Sequence, residues 1–211
     1  MASRRCLADV TTAGILCSVA TYVETVQALR PIIPVVYEAL QAGLDAAATD
    51  HEKRHLERTA DPHYFSYSAR RTAVERLRSK GLLRLGDRGD RSALAMSGIQ
   101  LDHAGHRLWV QRSANKDIPL PGKSGPKGRF YRQEPTLEGW NNLLMLWRDD
   151  AGTLEDPLWL VRPLGGDNRR KELRLDWQGP LRLSMAGMRE SDLDQLQPFT
   201  EWKQLGDGNT A

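Results

Sequence analysis

The spacing of apolar residues predicts helices in the first third of the chain. Residues 13–29 are apolar with few helix breakers, and Val36, Leu40 and Leu44 then recur four residues apart. Side chains at this spacing share one face of a helix. We therefore predict two packed helices, the second running through a charged stretch and ending before Pro62, because proline disfavours a helical residue ahead of it.

A second pattern begins at Ser68, which is a plausible N-cap for an amphipathic helix over residues 69–80. Gly81 stands where a left-handed helix C-cap is expected. Residues 82–85 and 92–96 then read as two strands that flank a turn of glycine, aspartate and arginine. The order helix, strand, charged turn, strand is that of a winged helix.

The rest of the chain is predicted to be rich in strands. Alternating apolar residues over 98–112 predict a hairpin. Further strands are expected at 158–161, 173–177 and 181–185. A stripe of leucine and tryptophan side chains predicts a helix over 136–147, and Ser191 resembles the start of a capping box before a last helix.

These elements give an α+β fold, in which N-terminal helices lead into a winged-helix-like unit and a β-rich region with one or two C-terminal helices follows. We place the domain boundary after residue 97. The second domain, 98–211, would contain a basic loop at 116–132 and an acidic C-terminal part.

Charge is distributed unevenly along the chain, although the net charge is only +3. Residues 1–50 carry 3 basic and 5 acidic side chains, residues 51–132 carry 18 and 8, and residues 133–211 carry 9 and 14. A basic middle between nearly balanced or acidic flanks is typical of a protein that binds a polyanion with one region.

The run SARRTAVERLRSKGLLRL, residues 68–85, resembles the recognition helix and first wing strand of bacterial winged helix-turn-helix regulators. The likeness covers residues 66–97 only, and the segment 61–67 is longer and more aromatic than that family's usual turn. It implies a helix that enters the major groove of DNA and reads base edges near its start. The implied readers are Tyr67, Arg70, Arg71 and Thr72. Further contacts are implied with the backbone, by Arg78 and Lys80, and with phosphate or the minor groove at the wing tip, by Arg88 and Arg91.

The basic loop offers a second candidate contact. Its cations are Lys123, Lys127, Arg129 and Arg132, and Phe130 and Tyr131 lie among them. Cations near aromatic rings suit a surface that tracks a nucleic-acid strand, because phosphates are neutralised while bases stack on the rings. A glycine- and proline-rich surface loop without a ligand explains the same composition. For the helix, the alternative is a solvated charged face with an Arg71–Glu75 ion pair.

One enzyme motif is present, since residues 51–55 read His-Glu-Lys-Arg-His. On a helix, His51 and His55 would share a face and could hold zinc with Glu52 as general base. Lys53 and Arg54 lie between the two histidines, however, and a buried zinc helix would have to desolvate both charges. We therefore prefer a solvated helix end and keep a zinc metallopeptidase as a minor alternative.

The sequence favours a DNA-binding transcriptional regulator with no enzyme activity, cofactor or metal. The alternative is a phage or mobile-element protein, including one that counters host defence, that binds nucleic acid or a nucleoprotein without sequence preference. Its partner is expected to be DNA, with RNA or a nucleoprotein as alternatives. The tryptophan-rich acidic third is either core or a protein-binding face. No apolar run approaches the roughly 20 residues that a membrane span needs, and two cysteines, Cys6 and Cys17, favour a cytoplasmic location.

Overall fold

A computed structural model describes most of the chain between residues 20 and 199. The described ranges are 20–57, 61–82, 98–113, 117–121, 125–133, 141–167, 169–170 and 172–199. Within them, no helix combines the length and the apolar character that crossing a membrane requires. The predicted wing, with Arg88 and Arg91, and the loop residue Lys123 lie outside the described residues.

The helical layer comes first along the chain. It consists of α1 (Tyr22–Leu29), α2 (Ile33–Lys53) and α3 (Pro62–Ser79), with a 3-10 turn at Arg30–Ile32 between the first two. A capping box starts α1, because the Thr21 hydroxyl accepts from the Glu24 amide and a Glu24 carboxylate oxygen accepts from the Thr21 amide. These helices confirm the predicted N-terminal helical region.

Pro62 begins a helix, and the expectation that it merely ends the preceding one is wrong. Helix α2 already ends at Lys53. Asp61 is the N-cap of α3, and its side chain accepts a 2.9 Å hydrogen bond from the Tyr64 amide. Proline fits the first helical position because it has no amide hydrogen to satisfy there. Ser68, the expected N-cap, therefore lies inside α3.

Five strands form one mixed sheet. They are β1 (Gly98–His103), β2 (His106–Arg112), β3 (Asn141–Trp147), β6 (Leu158–Asp167) and β7 (Glu172–Leu181). Their order in the sheet is β1-β2-β3-β6-β7. β2 and β3 pair in parallel, and the other neighbouring strands pair antiparallel. A separate small ribbon pairs β4 (Asp149–Asp150) with β5 (Thr153–Leu154). The short helix α4 (Pro126–Tyr131) precedes β3, and a 3-10 turn (Leu183–Gly187) and α5 (Glu190–Leu193) follow β7.

Each face of the sheet is covered by a different part of the chain. Helices α1 to α3 pack on one face, where side chains such as Leu44 and Leu77 share a core with Leu101 and Leu143. On the other face, the segment that contains α4 packs its aromatic residues against Trp109, Leu144, Leu146, Trp159 and Val161. The sheet is therefore the middle of three layers, and the helices and sheet share one core.

A tyrosine fastens α2 to the sheet. The Tyr37 hydroxyl lies 2.5 Å from Asp156 Oδ1 and 2.6 Å from the Leu181 carbonyl oxygen, and it accepts a 3.0 Å hydrogen bond from the Leu158 amide. Because all three partners belong to or adjoin β6 and β7, this buried hydroxyl fixes how the helix meets that edge of the sheet.

The predicted α+β layout is confirmed, but three further elements differ from the sequence prediction. The expected helix over 136–147 is wrong, since Asn141–Trp147 is β3. The expected strand at 181–185 is wrong, because β7 ends at Leu181 and a 3-10 turn follows. Ser191 lies within α5, whose N-cap is Arg189. The predicted hairpin over 98–112 and the strands at 158–161 and 173–177 are confirmed.

Candidate nucleic-acid interface

Helix α3 divides into a buried side and a solvent side. Its inward side chains, Phe65, Ala69, Ala73, Val74 and Leu77, are nearly inaccessible to solvent. They recur at three- and four-residue spacing, which is the repeat of a helix that covers a core with one face. The residues on the side opposite to them point to solvent, and they include the predicted DNA-contacting arginine Arg71.

The outer face of α3, as we name it, consists of Tyr67, Arg71, Glu75 and Arg78. All four side chains are exposed, and Tyr67 keeps 46% of its surface accessible. With a rise of about 1.5 Å per residue, Tyr67 and Arg78 stand about 16 Å apart along the helix axis. Arg76 and Lys80 are also exposed near the end of the helix. Arg71, Glu75 and Arg78 thus share one exposed face of the helix.

Arg71 and Glu75 do not neutralise each other. Both residues belong to the described part of the chain, and no ion pair joins them there. An exposed pair at this spacing would contribute only about 0.3–0.5 kcal/mol. The Arg71 guanidinium is thus available to an external acceptor without first leaving a carboxylate.

Two of the predicted base readers do not belong to the outer face. Arg70 is half-buried, and its Nε donates a 3.1 Å hydrogen bond to the Ser66 carbonyl oxygen. Burial lowers the pKa of the Arg70 guanidinium below its ordinary value. Thr72 is also half-buried. Because successive helical residues are about 100° apart, neighbours of Arg71 in sequence turn away from the surface that it occupies.

The outer face begins more than one turn inside the helix. Since α3 starts at Pro62, Tyr67 and Arg71 lie in its second and third turns. A recognition helix that enters the groove by its tip uses its first residues. The described geometry instead suits a helix that lies along a groove, where Tyr67, Arg71 and Arg78 would face it together.

The aromatic residues of the basic loop are not available for base stacking. Phe130 is 9% exposed and Tyr131 is fully buried. The Lys127 ammonium lies 5.8 Å from the ring centroids of Trp109 and Tyr131, and burial lowers its pKa. The rings and Lys127 therefore pack together over the sheet. Arg129 and Arg132, by contrast, are exposed.

The predicted contact residues form two separate groups. The outer face of α3 belongs to the helical layer, whereas Lys127, Arg129 and Arg132 belong to the segment on the opposite face of the sheet. Sequence analysis missed a further basic set beside the second group, in the hairpin between β6 and β7, at Arg169, Arg170 and Arg174. The local run RRKELR, residues 169–174, was the sequence signal for this basic set. It was overlooked because charge was summed over the whole C-terminal third, which is acidic.

The His-Glu-Lys-Arg-His motif does not form the helical pair that a zinc site needs. His51 is 3% exposed and packs against the rings of Tyr64 and Phe65, with centroid distances of 5.3 and 5.2 Å. Neither of its ring nitrogens has a hydrogen-bond partner in the described part of the chain. His55 lies beyond the end of α2 with a φ of +53°. Among the described residues, no group of three or more metal-ligating side chains is found.

A small open pocket of about 240 Å³ adjoins His51, and Glu52, Leu56, Phe65 and Ala151 also line it. Both His51 nitrogens are shielded from solvent. The His51 ring therefore forms part of the pocket wall without presenting a nitrogen to solvent.

No protein-family model, curated protein sequence or solved structure matches the chain.

Proposed function

We propose that the chain is a DNA-binding regulator whose contact with DNA is made by the outer face of α3. The observation that carries the proposal is the exposure of Tyr67, Arg71 and Arg78 on one side of an 18-residue helix whose other side packs into the core. The resemblance of residues 68–85 to the recognition helix of winged helix-turn-helix regulators supports the same use of this helix.

Arginine suits this role for a geometric reason. Its planar guanidinium can donate to both O6 and N7 of a guanine in the major groove, and a good bidentate pair discriminates against other bases by about 1–3 kcal/mol. Arg71 is the strongest candidate for such a contact because it is central on the outer face and makes no ion pair with Glu75. Arg78, about 10 Å further along the axis, would reach the phosphate backbone.

Under this proposal, the regulator is located in the cytoplasm and has no enzyme activity. The second candidate function, binding of nucleic acid without sequence preference, is favoured by the exposed arginines Arg129 and Arg132, whose neighbouring aromatic rings are buried. The two candidates differ in whether Arg71 contributes to sequence preference.

The test is selection of binding sites from a pool of random duplexes, followed by affinity measurement on a selected duplex and on a random one. For Arg71→Ala we expect a loss of roughly 5- to 150-fold on the selected duplex, which corresponds to 1–3 kcal/mol, and a much smaller loss on the random duplex. Arg189→Ala is the matched control, because that exposed arginine lies near the C-terminal end of the described chain and pairs with Asp192.

Equal losses on the two duplexes would favour binding without sequence preference. Unchanged affinity of Arg71→Ala on both would remove α3 as the interface.

A further inference from the structure

We infer that the chain has a binding site for a small aromatic amine. The site is the pocket between the end of α2, the start of α3 and the turn of the β4–β5 ribbon. The inference concerns a different ligand and other residues than the proposed function, and it does not depend on that function.

The pocket has an aromatic floor and a largely apolar rim. Phe65 and His51 form the floor, since they line the pocket although only 1% and 3% of their surfaces are exposed. Their ring centroids lie 5.2 Å apart, with the rings edge to face. At the rim, Ala48 is exposed and the large side chain of Leu56 is 43% exposed. A ligand that carries an apolar ring would remove this surface from water and pack against the floor.

The volume of the pocket limits the ligand to about one ring. The pocket measures about 240 Å³. This volume exceeds the roughly 150 Å³ that suffices for a benzene molecule. It falls short of the roughly 300 Å³ at which pockets for drug-sized ligands begin. The pocket therefore suits a single six-membered ring with a short arm.

Glu52 gives the rim its charge. Its side chain is exposed, and no ion pair of Glu52 is found within the described ranges. The neighbouring Arg54 pairs with Asp50 instead. Among the described residues that line the pocket, Glu52 is the only carboxylate, and none is lysine or arginine. A carboxylate at the rim attracts an ammonium group and repels a second carboxylate, so the arm of the ligand carries a positive charge.

His51 adds unused hydrogen-bonding capacity to the floor. Neither of its ring nitrogens has a partner in the described part of the chain, and a buried polar group without a partner is destabilising. A half-turn of the imidazole about its last torsion occupies the same space and exchanges its carbon and nitrogen edges. The ammonium of a ligand can then donate to this ring as well as to Glu52, while its own ring packs on Phe65 and Leu56.

The inference is tested on the full chain with three soluble probes that share one benzene ring. They are phenethylamine, phenethyl alcohol and phenylacetate, which at neutral pH are positively charged, uncharged and negatively charged. Saturation-transfer NMR detects binding, and titration gives the affinity. We expect affinity to decrease in that order, and phenethylamine to bind with a Kd on the order of 1 mM.

The charge at the rim is tested by substitution of Glu52. Glu52→Gln should weaken the binding of phenethylamine roughly 2- to 5-fold, as expected for the loss of one exposed ion pair. It should leave the binding of phenethyl alcohol unchanged. Glu38→Gln is the matched control, because Glu38 is exposed on the same helix, about 21 Å away along its axis.

The location of the site is tested by narrowing the pocket. Ala48→Leu places a larger side chain at the rim, and because Ala48 is exposed, the thermal midpoint should change little. This variant should show no saturation transfer to any of the three probes.

Two results would overturn the site itself: absence of saturation transfer to phenethylamine in the unsubstituted chain, or unchanged affinity for it in Ala48→Leu. Equal affinities for phenethylamine and phenylacetate would overturn the assignment to an amine, as would unchanged phenethylamine affinity in Glu52→Gln. None of these measurements involves DNA, so a negative result here is distinct from a failure of the α3 interface.

Discussion

The burial and hydrogen bonding of each side chain determine which of the predicted contact residues remain candidates for binding DNA. Arg70 and Arg71 are adjacent in sequence, yet the first bonds to the Ser66 carbonyl oxygen and the second is exposed without pairing to Glu75. The sequence alone could have distinguished these two arginines. Arg70 falls on the same side of the helix as the buried residues Ala73 and Leu77, and Arg71 does not. The burial of Lys127 in α4 could not be foreseen, because it depends on Trp109, which lies on strand β2.

A buried histidine leads to a prediction about stability and pH. His106 is 4% exposed, and its Nδ1 has no hydrogen-bond partner in the described part of the chain. Burial, and to a lesser extent His103 and Arg162, lower its pKa below the ordinary value of 6.5. The folded state therefore binds fewer protons than the unfolded state below that pH. We expect the free energy of unfolding to fall as pH decreases from about 6.5, by at most about 1.4 kcal/mol per pH unit from this group.

Urea unfolding at a series of pH values measures this dependence. His106→Gln, which cannot titrate, should be less stable than the wild type near neutral pH. Its free energy of unfolding should also lack the part of the slope against pH that His106 supplies. An identical slope in the two proteins would contradict a destabilising protonation of His106.

At the scale of elements, the sequence predicts those whose signals are local. The hairpin β1–β2 follows from alternation around the turn at Ala104 and Gly105, both of which have positive φ, as a tight hairpin turn requires. β3 was predicted to be a helix because leucine and tryptophan residues recur at helical spacing over residues 136–147, but its run Leu-Leu-Met-Leu-Trp, residues 143–147, is apolar without alternation. Such a run is typical of a strand buried on both faces, and only the layers of this fold show that both faces of β3 are covered.

The crossing of α2 and α3 supplies a prediction about helix packing. A Cβ added at Gly43 would overlap the Ala69 carbonyl oxygen, which is backbone and cannot move aside as a flexible side chain could. Gly43→Ala gains about 1 kcal/mol of helix propensity, but it forces the helices apart. Overpacking of this kind costs about 1–3 kcal/mol, and more where backbone must move. We therefore expect a net loss of stability and a lower thermal midpoint.

Gly187→Ala is the matched control for this substitution. A Cβ there would meet no atom within 4 Å, so its stability should change little. Equal midpoints for Gly43→Ala and the wild type would contradict the close helix contact.

At the scale of the molecule, a net charge of +3 conceals two basic surfaces on opposite faces of one sheet. The sequence indicated the first surface, because its cations lie on consecutive turns of one helix. For the second, the sequence indicated Arg132 but not that Arg174 lies near it, since the two residues are 42 positions apart and approach each other only beside Gly165 of β6. Tertiary structure, and not local charge density, assembles that surface.

The most direct test of the central claim is arginine footprinting of the full chain with and without duplex DNA. An arginine-specific dicarbonyl reagent followed by mass spectrometry reports the accessibility of each guanidinium. We predict that bound DNA protects Arg71 on α3 and leaves Arg189, whose side chain is 83% exposed, fully reactive. Arg71 that reacts equally fast in the free chain and in the DNA complex would contradict the claim that α3 contacts DNA.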